Sequence, residues 1–318
     1  MATSAHLAAS AADATRASGM TVSRSEPTPS PVPVLVPGPQ PRGFVDLDRC
    51  RVVGVVNVTP DSFSDGGNWF DAGAAIEHGL ALAAAGADLV DVGGESTRPG
   101  AHRVDVDEEL RRVIPVVGPL AAAGVAVSID TMHAAVAARA ADAGATLVND
   151  VSGGLADAQM VPFIAASGLP FVVMHWRGHS ADMQTRAHYD DVVNDVCREL
   201  TDRITAIVDA GVDVNQLIVD PGIGFAKRPD GDDNWALLRH VDRVIDLGRP
   251  VLIGASRKTF LGNLLAAGGE PRPAELRDQA SGAVTALVAA AGAWAVRVHD
   301  VAAHVDAVRV AARWRATP

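Results

Sequence analysis

The chain has 318 residues, 48% of them hydrophobic, and a formal net charge of -11, which is long enough to bury one large core without a second domain. That acidity excludes a nucleic-acid or anionic-membrane surface as the expected role, because either needs clustered Lys and Arg, and it leaves a small molecule as the expected partner. Only Cys50 and Cys197 are present, too few for a disulfide framework or zinc cluster, which favours a reducing, cytoplasmic setting.

The first residues lack the basic region and compact apolar core of a secretory signal, and no uninterrupted apolar run reaches the ~20 residues needed to span a membrane. Residues 23–42 are dense in Pro and Ser, which removes backbone donors and favours solvated, extended chain. Residues 1–42 are therefore read as a disordered Pro/Ala-rich arm, with Met20 as an alternative start, and 43–318 as one domain. Within it, short runs rich in Val, Ile and Leu alternate with Ala-rich helical stretches, the rhythm of parallel strands joined by crossover helices. The runs fall at 51–58, 87–94, 125–131, 146–152, 170–176, 217–222, 250–256 and 294–300, and a last helix follows over 301–312. Eight such units in succession predict a single α/β domain, a closed (β/α)8 TIM-type barrel.

Polar residues end every run: Asn57; Asp91 with Glu95; Asp130; Asn149; Met174 with His175; Asp220; Ser256 with Lys258; and Arg297 with His299. Eight in a row after apolar interiors fit the barrel face on which active sites assemble. The loop from Gly93 to Gly100 combines glycines, hydroxyls and Arg98, which suits an anion. Lys258 and Arg297 each end an apolar strand and are expected to point into the mouth, whereas Arg257 is expected to make an ordinary ion pair. Asp130, Asn149 and Asp220 suit the donor edge of a flat nitrogen heterocycle. His175, between Met174 and Trp176, is read as a pocket wall without metal-ligand spacing, and the other histidines as surface residues.

Several independent segments together resemble the dihydropteroate synthase family over about 45–312: Asn57-Val-Thr-Pro-Asp-Ser-Phe63 with Ser64-Asp-Gly-Gly67, Asp91-Val-Gly-Gly-Glu-Ser-Thr-Arg-Pro-Gly100, Ser128-Ile-Asp-Thr131, Asn149-Asp150, Asp220-Pro-Gly222, Gly254-Ala-Ser-Arg-Lys258 and Arg297-Val-His-Asp300. The resemblance implies a dihydropterin pyrophosphate and p-aminobenzoate as substrates, Mg2+ as cofactor, and a homodimer. It implies that Asp130, Asn149, Met174, Asp220 and Lys258 hold the pterin. Asn57, Arg98, Arg297 and His299 would receive the pyrophosphate, with Asn57 at the metal, while Phe63, Thr97, Pro99, Phe225 and Ser256 would flank p-aminobenzoate. Asp61 organises the first loop and, with Asp130, Asp220 and Lys258, makes up the catalytic group.

After Lys227 the family pattern of Thr, two variable residues and His-Asn is replaced by Arg228-Pro-Asp-Gly-Asp-Asp-Asn234, two residues longer and carrying three carboxylates. That acidic stretch motivates a second reading, a divergent paralogue that binds pterin or sulfonamide-type analogues with little turnover. A corrinoid-linked methyltransferase would not need the Ser-Arg-Lys and Arg-Val-His clusters, and an aldolase would need Lys258 as a Schiff base.

Overall fold

The computed structural model describes residues 40–59, 72–96, 103–179, 183–228 and 231–316. The arm as far as residue 39, and the positions of Asp61, Phe63, Thr97, Arg98 and Pro99, lie outside the described residues. Eight parallel strands, β1 (Arg51–Asn57), β2 (Leu89–Gly93), β3 (Val127–Asp130), β4 (Leu147–Asp150), β5 (Phe171–Met174), β6 (Leu217–Asp220), β7 (Leu252–Ile253) and β8 (Ala295–Val298), match the eight expected runs. They pair in the order β6-β5-β4-β3-β2-β1-β8-β7. A parallel bridge between Val219 and Val251 joins β6 to β7 and closes the barrel.

Every residue of β2 to β6 is buried, as expected for parallel strands covered on both faces. One face meets the surrounding helices, α1 (Ala72–Ala84), α2 (Val106–Ala122), α3 (Ala134–Asp142), α4 (Met160–Ser167), α5 (Val192–Asp209), α6 (Asp233–Arg239), α7 (Val241–Ile245), α8 (Thr259–Leu264), α9 (Asp278–Ala291) and α10 (Val301–Arg315). The last helix runs three residues past the end expected from sequence. None of these helices is long and apolar enough to cross a membrane. Local chemistry sets the helix ends. Asp105 caps α2 by accepting from the Glu108 amide, and three acidic residues follow in the first turn, where the helix dipole favours them. Asp191 caps α5 through two amides.

The barrel interior has a floor and a mouth. Val53, Leu89, Leu147, Val172, Ile218, Leu252, Trp294 and Ala295 pack into an apolar floor. Phe44 meets Trp294 edge-on at 5.3 Å, and the Arg51 guanidinium lies 5.4 and 5.0 Å from the two rings. Gln40 accepts hydrogen bonds from Arg51 Nη1 and Trp294 Nε1, both 3.0 Å, so the chain entering β1 seals this end. Above the floor lie Asp91, Ser128, Asn149 and Arg297, separated from the apolar layer by a small cavity that both sets line. The cluster of Asp91, Ser128, Asn149 and Arg297 thus lies on the mouth side of the apolar floor, opposite the Arg51–Gln40 seal.

The turn after β4 is built on one buried carboxylate. Asp150 Oδ1 accepts from the Ser152 amide and hydroxyl, each at 2.7 Å, and Oδ2 accepts from the Gly154 amide at 2.9 Å. Burial raises its pKa to about 6 even so. Asp150→Ala would leave all three donors without this acceptor and should destabilise the fold by about 2–4 kcal/mol. Urea unfolding measures this, and an unchanged midpoint would show that the turn does not depend on that side chain.

Candidate active site

At the mouth, strand register sets the first group of side chains side by side. Asp91 pairs with Ser128, Gly93 with Asp130, and Asp130 with Asn149. Arg297, on β8, reaches across to them. Its Nε donates to Asp91 Oδ2 at 2.6 Å and its Nη2 to Asp130 Oδ2 at 2.7 Å, while Asn149 Nδ2 donates to the same Asp91 oxygen at 3.0 Å. Burial pushes the Asp130 carboxyl up to about 7, against the pull of Arg297. Burial also opposes the charge on Arg297, but Asp91 and Asp130 outweigh it and hold the guanidinium above its usual range. Asp91 Oδ1 and Ser128 Oγ, both buried, have no hydrogen-bond partner among the described residues.

A second group comes from the end of β6, the loop that follows it and Lys258. Asp220 Oδ1 accepts from the Gly222 amide at 2.7 Å, and burial raises its pKa to about 6. Lys258 is drawn down to about 8 by burial, an effect that Asp220 opposes. Its Nζ lies 4.0 Å from the centre of the Phe225 ring. Met132, Val151 and Met174 form a separate apolar cluster with Phe225 and Ala156 packed against it. An apolar wall bordered by carboxylates, an amide and an ammonium is suited to a flat, polar-edged ring. Gly224 has to be small here: its φ is +81°, and a Cβ would meet Lys258 Cδ at 3.0 Å.

Ser256 Oγ lies 3.1 Å from His299 Nδ1 and accepts from the His299 amide at 3.3 Å. Burial, then Arg297, lowers the His299 pKa to about 3, so its ring is neutral beside the cations. Asn57 ends β1, half-buried and paired with Gly93. Arg257 pairs with Asp278 through two 2.7 Å contacts, as expected from sequence. The remaining histidines are not all surface groups. His304 is fully buried with Nδ1 2.7 Å from Thr285 Oγ1, and His133 holds Glu109 at 2.6 Å. Sequence reasoning missed these because the partners come from other elements.

Glu95, Glu109 and His133 bring one ligand atom each within 4.8 Å of one another. Arg103 already lies 2.7 Å from His133 Nε2 and 3.8 Å from Glu95, so this cluster is an ion-pair network with its own cation. The acidic stretch after Lys227 is likewise engaged. Asp233 is 2% exposed and accepts from Arg228 through the backbone amide, Nε and Nη2 at 2.9, 2.9 and 2.5 Å. Asn234 Oδ1 accepts from the Gly224 amide at 2.7 Å. Asp230 lies outside the described residues. The described part braces the β6 loop, so the picture of a freely repelling acidic flap does not hold for Asp233.

Residues 53–299 match the model of the pterin binding enzyme family. The chain belongs to the dihydropteroate synthase family. A dihydropteroate synthase of Mycobacterium leprae is 53% identical over 272 residues, spanning 85% of this chain and 95% of the relative. Among solved structures, a Xanthomonas albilineans dihydropteroate synthase with 4-aminobenzoic acid superposes with a TM-score of 0.78 at 48% identity, covering 85% of this chain and 95% of that one. The same organism's enzyme with 7,8-dihydropteroate gives a TM-score of 0.75 at 44% identity, covering 86% and 97%.

In this dihydropteroate synthase family member, Arg297→Met would leave Asp91 and Asp130 without their shared cation. The expected loss of stability is about 3–5 kcal/mol, largest near pH 8. It should shrink toward pH 5, because Asp130 then relieves the repulsion by taking up a proton. Unfolding free energies at the two pH values test this, and equal losses at both would contradict it.

Proposed function

We propose that this chain performs dihydropteroate synthesis in folate biosynthesis by joining a dihydropterin methyl pyrophosphate to the amine of p-aminobenzoate. The observation that carries this reading is the apolar wall of Met132, Val151, Met174 and Phe225 bordered by Asp130, Asn149, Asp220 and Lys258, in a chain of this family. The arylamine nitrogen attacks the pterin methylene carbon, the carbon–oxygen bond breaks, pyrophosphate leaves with the electron pair, and the nitrogen gives up a proton. An arylamine is already unprotonated near neutral pH, so the site must stabilise the leaving group more than supply a strong base.

In this reading Asp130, Asn149 and Asp220 take the pterin edge, Met174 lies against its ring and Lys258 steadies the ring atoms near Asp220. Arg297 and His299 face the pyrophosphate, and Ser256, Phe225 and Lys258 border p-aminobenzoate. Asp61, Phe63, Thr97, Arg98 and Pro99 complete the site by the family resemblance. Arg297 has five N–H donors and commits two to Asp91 and Asp130, which leaves donors for an anion.

Formal charges explain the need for a cation from outside the described mouth. Arg297 and Lys258 supply two positive charges against Asp91, Asp130 and Asp220, and His299 adds none, so 2 - 3 gives about -1 when every carboxylate is ionised. A multiply charged pyrophosphate then requires Arg98 and magnesium. The amide oxygen of Asn57 is a hard, neutral ligand at a strand end and fits a magnesium ion that keeps most of its ligands as water and phosphate oxygen. When bound, the ion would neutralise charge on the leaving group.

The test is to incubate the purified chain with the pterin pyrophosphate, p-aminobenzoate and magnesium and to follow dihydropteroate and pyrophosphate. Product formation is expected, and its absence across magnesium and pH conditions would sink the reading. The pH profile of kcat/KM should be bell-shaped. It rises as Asp220 and Asp130 ionise near 6 and 7 and falls above about 8 as Lys258 loses its proton. A flat profile from pH 5.5 to 9 would remove those residues from pterin binding. Asp232 precedes α6 at its N-cap position, makes no side-chain cap bond and is not part of the Arg228–Asp233 pair; Asp232→Asn should change pterin pyrophosphate affinity by less than about threefold. A gain of tenfold or more in calorimetric titration would instead favour the reading of a weakly active paralogue repelled by its own loop.

A further inference from the structure

Asp220 ends β6, where its Oδ1 accepts from the Gly222 amide of the loop that follows; Phe225 rides on that loop, which is an unfavourable piece of backbone. Gly222, Gly224 and Ala226 all have positive φ, at +69°, +81° and +46°. A non-glycine residue such as Ala226 adopts this region only where its surroundings hold it there. A Cβ on Gly222 would come within 2.6 Å of the His175 carbonyl oxygen, so the loop also passes close to the end of β5.

What holds it is a side chain to which sequence reasoning gave no role. Lys227 is fully buried. Its Nζ lies 3.1 Å from the Pro221 carbonyl oxygen, 3.2 Å from that of Gly222, 3.0 Å from that of Phe225, and 3.1 Å from His175 Nδ1. Burial draws the Lys227 pKa down to about 7, against the pull of Asp220; in its ammonium form the side chain has three protons and no lone pair, so all four partners act as acceptors and share the three hydrogens. Three carbonyl oxygens converging on one buried point repel one another unless a cation occupies it.

The network behind the ammonium is ordered to match. Because His175 Nδ1 accepts, its proton sits on Nε2, which donates to Glu199 Oε2 at 2.9 Å. Glu199 also takes two hydrogen bonds from Arg177, at 3.0 and 2.5 Å, and the Arg177 guanidinium lies 4.0 Å over the Tyr189 ring. Tyr189 in turn donates its hydroxyl to the Ala226 carbonyl at 2.7 Å. Burial and then Lys227 draw the His175 pKa down to about 4, in keeping with a neutral ring that accepts from an ammonium.

We propose that Lys227 is a positioning residue for the synthase reaction: its buried ammonium gathers the carbonyls of Pro221, Gly222 and Phe225 and so fixes the loop that sets Asp220 against the pterin and Phe225 against p-aminobenzoate and Lys258. The proposal rests on the synthase reading given above. It differs from a packing role because it requires charge and donors, which a methionine of similar length lacks.

The experiment uses the full chain as wild type, Lys227→Met and Lys227→Ala. Both variants are expected to keep a cooperative melt yet lose on the order of 10- to 100-fold in kcat/KM, since a displacement of about 1 Å in a binding group can cost a factor of about 100. KM should rise for both substrates, because the loop carries Phe225 and orients the Asp220 carboxylate through the Gly222 amide. Ethylamine should restore part of the activity of Lys227→Ala, and ethanol at the same concentration should not. Lys227→Met within about threefold of wild type in kcat/KM and in both KM values would overturn the proposal. So would a loss confined to kcat that ethylamine does not relieve, which is what a merely structural role predicts. If the Lys227 variants do not fold, Tyr189→Phe removes only the donor to the Ala226 carbonyl and should raise KM for p-aminobenzoate about 3- to 10-fold; no change there would be equally fatal. A wild-type chain that makes no dihydropteroate sinks the synthase reading and this proposal with it, whereas an active wild type matched by Lys227→Met sinks the proposal alone.

Discussion

The mouth of the barrel depends on one guanidinium held between two buried carboxylates. Arg297 ties β8 to β2 through Asp91 and to β3 through Asp130, so three strands that converge on the site share one charge network. Three ions taken out of water carry a large desolvation cost, repaid only where geometry and further hydrogen bonds are good. Here Asn149 adds its amide to Asp91, and the apolar floor beneath keeps the pairs in register. The same arrangement has a chemical use. A carboxylate offers about four lone-pair positions, so Asp130 can accept from Arg297 and still present acceptor capacity to a heterocycle edge. Its pKa, pushed to about 7 by burial, leaves it close to the point where a donor-rich ligand tips it to the charged form.

The fold was legible because it depends on short-range pattern. Eight apolar runs bounded by turn formers read directly as eight strands, and their count leaves little choice of architecture once each is followed by a helix. Strand-end residues were legible for the same reason, and Arg297, Asp130, Asn149 and Asp220 gather at the mouth; Lys258, expected to end a strand, lies instead five residues past β7 at the N-cap of α8 and reaches the same group from there. What local sequence does not carry is reach. Whether a lysine two residues past Phe225 extends to solvent or turns inward depends on His175 and Glu199, about 50 and 28 residues earlier in the chain. His304 was misread as a surface group for this reason too, since its partner Thr285 lies on another helix. Asp91 showed itself only as a polar strand end, although it accepts from both Arg297 and Asn149.

The stretch from Lys227 to Asn234 shows how far composition misleads when side-chain direction is unknown. Read as a string, it is a lysine, an arginine and three carboxylates summing to a charge near the mouth that would repel an anion. In three dimensions its ends face opposite duties. Lys227 turns inward beneath the loop and collects three carbonyls. Asp233 turns inward onto Arg228 and fixes the start of α6, and from α6 Asn234 reaches back to the Gly224 amide. The loop that follows Asp220 and carries Phe225 is therefore bonded through carbonyls on either side of the Gly224 amide and through that amide itself. A backbone with three positive φ values close together would otherwise relax. Because the ion pair with Arg228 positions the residue before Asn234, the departure from the family pattern falls on a bracing element, and its effect on catalysis runs through the shape of the β6 loop more than through long-range repulsion. Two full charges about 10 Å apart interact by only about 0.4 kcal/mol in water. A loop shifted by about 1 Å can cost roughly 100-fold in rate, and geometry is the larger effect.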